Sequence, residues 1–373
     1  MSQESPLLRV PQEIWLHIHQ LATINWSPLA LAYSERFHYW PLRVLDPFME
    51  IRELLRNASS FALVSRLWNA LANEILFENI RVDSRFHSLY DALNRRGAAH
   101  LVRSIRLSST RFDYDHAILA CCPGVQLIVL PDSPEHAAPL QVPNHLGLDS
   151  VTQLLSLKRI YWTETRHASG LLRKLVPIAP NLEHIFLSQS NYPTQRTLEA
   201  LSLPQIPSLR GLGVGDHSLG TILQIDLQNL TLLHCTPLFL THPDFPASLP
   251  RVTVLRIFGS RSHIHFGTVF AQFPRLQELN YDVWNSLSPP TGGEPVPLSL
   301  IHLHSAVTVV RDWIPIEDHF TLLSSSTFPA VQRIVLYGTW YRVVANPRFS
   351  HFRSALRARG CQLEFPEGHV LSP

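Results

Sequence analysis

The sequence predicts an α+β chain, in which a small helical domain over residues 6–82 precedes an irregular α/β repeat array over residues 98–367. Two observations carry this prediction: helical apolar patterning before residue 82, and an apolar motif that recurs ten times after residue 100. The 373 residues, of which 45% are hydrophobic and 16% charged, suffice for two domains with cores of their own.

The recurring motif is an apolar residue, two other residues, a second apolar residue, one other residue and a third apolar residue. Its last two apolar sites alternate as in a short strand with one buried face. Successive motifs begin 21 to 33 residues apart, and most of these steps match the period of leucine-rich repeats, about 20 to 29 residues. We therefore expect an irregular leucine-rich-repeat solenoid. Its ten units are Val102/Ile105/Leu107, Val125/Ile128/Leu130, Leu157/Ile160/Trp162, Leu182/Ile185/Leu187, Leu209/Leu212/Val214, Leu230/Leu233/Cys235, Val252/Leu255/Ile257, Leu276/Leu279/Tyr281, Leu298/Ile301/Leu303 and Val331/Ile334/Leu336.

Short helices and two loop insertions are predicted between these strands. The insertions lie near 131–148 and 285–297. We expect the whole of 285–297, which contains Ser288-Pro289-Pro290-Thr291-Gly292-Gly293, to form neither helix nor strand. The helices are predicted from apolar spacing of three and four residues. They cover 168–176, 195–201, 268–273, 316–323 and 349–359.

Two blocks near the N-terminus have a different pattern. The first begins Val10-Pro11-Gln12-Glu13-Ile14 and continues with Ile18 and Leu21 on one helical stripe. The second runs Leu63-Val64-Ser65-Arg66-Leu67-Trp68-Asn69-Ala70-Leu71-Ala72 and ends with Leu76-Phe77. Together these blocks resemble an F-box, and with the irregular leucine-rich array they resemble the F-box proteins of basidiomycete fungi. The resemblance is interrupted by an insertion at about 23–57.

The resemblance implies a substrate receptor that links a target protein to an SCF-type cullin-RING ubiquitin ligase through a Skp-family adaptor. A helical element of this length cannot bury its apolar faces alone, so a partner surface would complete it. We expect adaptor contacts at residues of both blocks, although the same side chains could instead dock the helices onto the repeat array. These residues are Val10, Pro11, Ile14, Ile18, Leu63, Val64 and Trp68.

The target would bind the side chains that alternate with the buried positions of the strands, because these face the concave side of a solenoid. They are rich in aromatic residues, histidine and arginine, which favours an exposed surface for an unidentified protein target over a small-molecule site. The predicted target-binding residues are Tyr161, His184, Phe186, His234, Arg256, Phe258, His302, His304, Arg333 and Tyr337.

An enzyme is the competing class, but the chain lacks the motifs GxSxG, HExxH, GxxxxGK[ST] and GxGxxG. The stretch Gly259-Ser260-Arg261-Ser262-His263 is interpreted as loop polar residues. We therefore expect no catalytic residues. The remaining alternative is a non-catalytic leucine-rich-repeat scaffold or protein-binding module that no longer engages the ligase, and the insertion at 23–57 keeps this alternative open.

Neither a metal nor a cofactor is expected. His302 and His304 would share a strand face, but spacing identifies no third ligand. The four cysteines lack CxxC spacing, which favours thiols in a reducing compartment. They are Cys121, Cys122, Cys235 and Cys361.

The net charge, the N-terminal residues and the length of apolar runs limit the partners and the cellular location that we expect. The formal charge of +2 gives no electrostatic reason to expect nucleic acid or an anionic membrane surface. The N-terminus lacks the basic region of a signal peptide, and no uninterrupted apolar run reaches the roughly 18 residues of a spanning helix. We expect a cytoplasmic or nuclear protein, monomeric apart from the ligase complex.

Overall fold

The chain is a mixed α/β protein built on parallel strands. A computed structural model describes residues 76–82, 86–95, 97–108, 112–131, 153–164, 169–189, 205–214, 226–243, 245–259, 262–289, 297–305, 313–366 and 370–371. The chain divides into two compact units. Unit 1 comprises Met1–Leu182 with Ser190–Arg196, and unit 2 comprises Glu183–Gln189 with Thr197–Pro373.

The described part of unit 1 contains parallel strands that pair in chain order. Ile80, Ile105, Ile128 and Ile160 are successive register partners across these strands, and all are buried. The strands are β1 (Asn79–Arg81), β2 (Ser104–Arg106), β3 (Leu127–Leu130) and β4 (Arg159–Glu164). The helices are α1 (Phe86–Arg95), α2 (Phe112–Cys121) and α3 (Ser169–Leu175), with 3₁₀ turns at Ala98–Leu101 and Val176–Ile178.

Unit 2 has the same plan with more strands. Its strands are β5 (His184–Gln189), β6 (Gly211–Val214), β7 (Leu232–Cys235), β8 (Val254–Ile257), β9 (His263–His265), β10 (Glu278–Asp282), β11 (Ser286–Ser288), β12 (Leu300–Ser305), β13 (Arg333–Gly338) and β14 (Gln362–Glu364). Strands β5, β6, β7, β8, β10, β12, β13 and β14 pair in this order, all in parallel, and β9 pairs with β11 in a separate parallel ribbon. The helices are α4 (Pro237–Leu240), α5 (Phe266–Gln272), α6 (Ile314–Ser324), α7 (Tyr341–Val344) and α8 (Ser350–Ala358), with a 3₁₀ turn at Pro347–Phe349.

The apolar motif marks the core in both units. All thirty residues of its ten occurrences are at most 4% exposed. The second apolar residue of each motif lies in a strand. Wherever the structure describes the pairing between the strands of successive motifs, these second apolar residues are register partners, for example Leu255 with Leu279. The alternation predicted from the sequence is therefore confirmed, and it stacks apolar rows along one face of the strands.

Four of the predicted helices are confirmed with ends that shift by a few residues. In α6 the shift brings Pro315 into the first turn. Proline is tolerated there because backbone N–H groups of the first turn have no hydrogen-bond partner within the helix, so the missing N–H costs nothing. No helix within the described ranges is long and apolar enough to cross a membrane. The confirmed helices are α3, α5, α6 and α8, and the predicted helix at 195–201 lies outside the described residues.

The prediction that 285–297 forms neither helix nor strand is wrong for its first residues. Ser286–Ser288 forms β11, and the Ser286 amide donates to the Ser262 carbonyl at 2.9 Å. The turn before β11 is closed by Asp282, whose Oδ1 accepts from the Trp284 amide at 2.9 Å. The interpretation of residues 259–263 as loop is likewise wrong for His263, which lies in β9.

Strand β1 lies inside the predicted N-terminal domain of 6–82 and pairs with β2. Most of that domain lies outside the described residues, as do the insertion at 23–57 and almost all of the predicted loop at 131–148. The domain boundaries therefore stay a prediction. The predicted adaptor-binding residues also lie outside the described residues: Val10, Pro11, Ile14, Ile18, Leu63, Val64 and Trp68.

Candidate functional site

The candidate site is the face of unit 2 that lies opposite the apolar rows, here called the polar face. Strand register aligns His234, Arg256, Asn280 and His302 in one row across β7, β8, β10 and β12. Asp282, His304 and Tyr337 form a second row beside it. Parallel pairing thus brings together residues that are far apart in the sequence. The polar face comprises His184, Phe186, His234, Arg256, Phe258, Glu278, Asn280, Asp282, His302, His304, Arg333 and Tyr337.

The predicted target-binding residues were expected to be exposed, but most of them are buried or half-buried. Phe186, His234, Arg256 and His302 are buried, and His302 is only 1% exposed. In unit 1, Tyr161 on β4 is also buried. His184, Phe258, His304 and Tyr337 are half-buried, and Arg333 is exposed. The alternating pattern located the strand face correctly, but periodicity alone does not report whether that face is covered.

Two glutamates that the sequence reasoning missed organise the arginines of the polar face. Glu278 Oε1 lies 3.4 Å from His302 Nε2 and 3.9 Å from Arg256 Nη2. Glu364 on β14 accepts a 2.9 Å hydrogen bond from Arg333 Nε. Because each arginine faces a carboxylate, the face has mixed charges and lacks the uniform positive field of a nucleic-acid-binding surface.

Three histidines of the polar face, His234, His302 and His304, are held neutral. Burial lowers the pKa of His302 to about 2, and the positive charge of Arg256 acts in the same direction. Burial and Arg256 also lower the pKa of His304 to about 3, and they shift the pKa of His234 well below its usual range. A neutral imidazole offers one donor and one acceptor. These side chains are therefore suited to hydrogen bonding rather than to binding anions.

Aromatic contacts connect neighbouring strands of the polar face. The rings of His234 and Phe258 meet edge to face with centroids 4.6 Å apart, and His304 stacks on Tyr337 at 4.8 Å. Offset stacking and edge-to-face packing are the favoured arrangements of aromatic pairs. These contacts fix ring positions between β7 and the residue that follows β8, and between β12 and β13.

Two glycines on β6 allow rings from β5 to lie across that strand. A Cβ atom at Gly211 would lie 2.2 Å from His184 Cδ2, and one at Gly213 would lie 2.3 Å from Phe186 Cδ1. Any other residue at either position would therefore collide with a ring. Glycines at alternating positions of a strand often mark such a close approach, so Gly211-Leu212-Gly213 is a sequence signal that the prediction did not use.

The cysteines and histidines are not arranged as a metal site in the part of the chain that the structure describes. No group of three or more histidine, cysteine, aspartate or glutamate side chains there could hold a metal ion. All four cysteines are free thiols. Cys121 and Cys122 bring their sulfur atoms to 3.8 Å, which is a contact between neighbouring residues without a covalent bond.

Comparisons with known proteins assign no family to this chain. No family model matches it, and no curated protein is similar to it at a significant level. The residues of the polar face and of the N-terminal blocks are therefore the basis for a functional proposal.

Proposed function

We propose that this chain is an F-box substrate receptor, which links a target protein to an SCF-type cullin-RING ubiquitin ligase through a Skp-family adaptor. The observation that carries the proposal is the pair of N-terminal blocks around Pro11 and Trp68, followed by ten repeat motifs. Each block has an amphipathic helical pattern, and apolar stripes of this kind are completed by a partner groove in many complexes. The receptor itself would carry out no catalysis.

The repeat region is proposed to be an irregular leucine-rich-repeat solenoid. Within each unit, the parallel strands pair in chain order, and the apolar motifs supply the buried rows. Stacking of successive repeats against their nearest neighbours is the arrangement that defines solenoid proteins. Such an array presents one long strand face to a partner.

Target binding is proposed at the accessible part of the polar face. Arg333 has 51% of its side chain exposed, and Tyr337 beside it is half-buried. His184, Phe258 and His304 are half-buried as well. Arginine and aromatic side chains are enriched among the residues that contribute most to protein–protein binding. The buried residues of the same face would position these groups rather than contact the target.

Co-purification with a Skp-family adaptor tests the ligase role. The wild-type chain is expected to bind the adaptor, and the double variant Pro11→Ala, Trp68→Ala is expected to lose at least about 2 kcal/mol of binding free energy, because buried hot-spot residues carry most of the affinity. The matched control is Trp26→Ala, Pro28→Ala in the insertion, which changes the same residue types outside both blocks. Circular dichroism checks that both variants are folded.

Absence of adaptor binding by the folded wild-type chain would contradict the proposal and favour the alternative. That alternative is a non-catalytic leucine-rich-repeat scaffold, or a protein-binding module that no longer engages the ligase. The 23–57 insertion favours it, because this insertion separates the two blocks that an F-box brings together. Equal loss of binding in the control variant would also contradict the assignment of the two blocks as the contact surface.

A further inference from the structure

A cavity of about 480 Å³ lies in unit 2 between strand β11 and helix α6, outside the polar face. Leu287 of β11 lines one side of it, and Asp318 and Leu322 of α6 line the other. Asp318 is exposed, so the cavity is open to solvent at this wall. No residue of β9 is among its lining residues. The cavity therefore lies along the side of β11 that faces away from β9.

The outer edge of β11 carries unpaired backbone groups. Among the described strands, β11 pairs only with β9. The Ser286 amide donates to the Ser262 carbonyl at 2.9 Å, so the backbone groups of Ser286 and Ser288 are directed at β9. Successive residues of a strand direct their N–H and C=O groups to opposite edges. The N–H and C=O of Leu287 are therefore directed away from β9, toward the cavity, and no described backbone group pairs with them.

Contacts on the β9 side hold β11 in its extended form. The two ring nitrogens of His263 lie 2.6 Å from the Ser286 hydroxyl oxygen and 2.7 Å from the Ser288 hydroxyl oxygen. Just before the strand, Asn285 Oδ1 accepts from the Ser262 amide at 3.1 Å. None of these contacts uses the outer edge of β11. A strand that is already fixed loses little conformational entropy when a partner binds.

Helix α6 supplies the opposite wall and its charge. Pro315, Asp318 and Leu322 are spaced by three and four residues, which places them on one side of the helix. Leu322 and Leu287 give the cavity an apolar surface, to which Trp284 adds an aromatic ring. No lysine or arginine lines the cavity. The Asp318 carboxylate would therefore attract a basic side chain, and it would repel an acidic one.

We propose that this cavity binds an extended peptide segment of another protein, which adds to the free edge of β11 as a further strand. The Leu287 N–H would donate to a peptide carbonyl, and the Leu287 C=O would accept from a peptide N–H. In strand addition, main-chain hydrogen bonds provide affinity and side-chain pockets provide specificity. We expect an apolar peptide residue against Leu322 and a lysine or arginine near Asp318. This site is separate from the polar face and from the adaptor-binding blocks, and the inference depends on neither.

Selection from a phage-displayed library of random heptapeptides tests the site. The immobilised full chain selects the peptides, and the full-length variant Leu287→Pro removes those that bind elsewhere. A proline whose missing N–H would face outward is tolerated on an edge strand, so pairing with β9 is kept. Selected peptides are expected to combine an apolar residue with a nearby lysine or arginine and to bind the proline variant at least about tenfold more weakly. Recovery of no peptide that distinguishes the two chains would overturn the proposal.

The matched control for the backbone contact is Leu287→Ala, which removes the same side chain but keeps the N–H. It is expected to bind a selected peptide more tightly than Leu287→Pro does. Methylation of the peptide nitrogen that pairs with the Leu287 carbonyl should weaken binding about tenfold. Equal loss in the alanine and proline variants, together with no effect of methylation at any peptide nitrogen, would overturn strand addition. Thermal unfolding checks that each variant is folded.

Charge variants test the wall formed by α6. Asp318→Asn is expected to weaken binding of a basic peptide about threefold and to reduce its salt dependence. The matched control is Glu317→Gln, since Glu317 does not line the cavity and pairs with Arg348 at 2.8 Å. Equal effects of the two variants would overturn the role of Asp318.

A variant of the polar face distinguishes this site from the proposed target surface. Arg333→Ala is expected to leave peptide binding unchanged, because Arg333 does not line the cavity. Loss of peptide binding in the folded Arg333→Ala variant would place the peptide on the polar face and overturn the inference. Loss of adaptor binding would change none of these outcomes, so the two proposals fail separately.

Discussion

At the residue scale, Gly213 shows how one missing side chain shapes the polar face. Replacement by alanine would place a Cβ atom 2.3 Å from Cδ1 of the buried Phe186 ring. We expect Gly213→Ala to lower the free energy of unfolding by about 1 to 3 kcal/mol, as overpacking does in a tight interior. Urea denaturation measures this change. The double variant Gly213→Ala, Phe186→Leu should lose less free energy of unfolding than the two single variants lose together.

Gly124→Ala is the matched control for that substitution. Its Cβ would lie 2.4 Å from Nη1 of Arg103, which is the far end of a flexible side chain and can move away. The expected change is within about 0.5 kcal/mol. If both alanine variants lost the same stability, the collision with Phe186 would not be the cause.

At the element scale, the strands and helices that pack into the apolar rows were predictable, and the short exposed strands were not. The motif at Leu276/Leu279/Tyr281 correctly predicted β10, because Leu279 and Tyr281 form an apolar, fully buried face of that strand. In β9 and β11, Ile264 is buried but His263 and Ser286 are exposed. Three residues give too few alternations to distinguish a strand from a loop.

Contacts between distant elements explain what the sequence could not predict about the polar face. Burial of Arg256 and His302 is a property of the folded chain, since composition favours an exposed position for such side chains. Sequence reasoning identified the face that contains both residues, but it did not identify Glu278, which lies close to each of them.

Arg359 connects the end of α8 to the end of α6 and provides a test of this packing. Its Nη1 donates to the Leu323 carbonyl at 2.6 Å, and its guanidinium also donates to the carbonyls of Ser325 and Phe328. A lysine ammonium group lacks the planar set of N–H donors with which the guanidinium of Arg359 bonds all three carbonyl oxygens at once. We expect Arg359→Lys to lower the free energy of unfolding by about 1 to 3 kcal/mol, because carbonyl groups at a helix C-terminus would lose charged donors.

Arg357→Lys is the control for this prediction, because Arg357 lies in the last turn of α8, two residues before Arg359, and is exposed. Its expected effect is within about 0.5 kcal/mol. Guanidinium chloride unfolding, compared at one pH, distinguishes the two cases. A similar stability for both lysine variants would show that the contacts of Arg359 do not stabilise unit 2.

At the scale of the whole molecule, the buried histidines should make folding sensitive to acid. Burial lowers the pKa of His302, His304 and His319 to about 2, 3 and 4, and it also lowers the pKa of His234. In the unfolded chain these groups titrate near 6.5. Above that pH both states are neutral. Below it, the unfolded chain binds protons that the folded chain excludes, so stability falls as pH falls.

Each such histidine removes up to about 1.4 kcal/mol per pH unit below 6.5, until the pH approaches its folded pKa. Asp282 acts in the opposite direction at the acid end, because burial raises its pKa. We expect His302→Gln to reduce the slope of unfolding free energy against pH between 6.5 and 5 by about 1 kcal/mol per unit on average. The difference between variant and wild type at pH 8 measures the packing effect alone, since His302 is neutral there in both states. An unchanged slope would show that His302 is protonated equally in the folded and unfolded chain, and that the polar face is open to water.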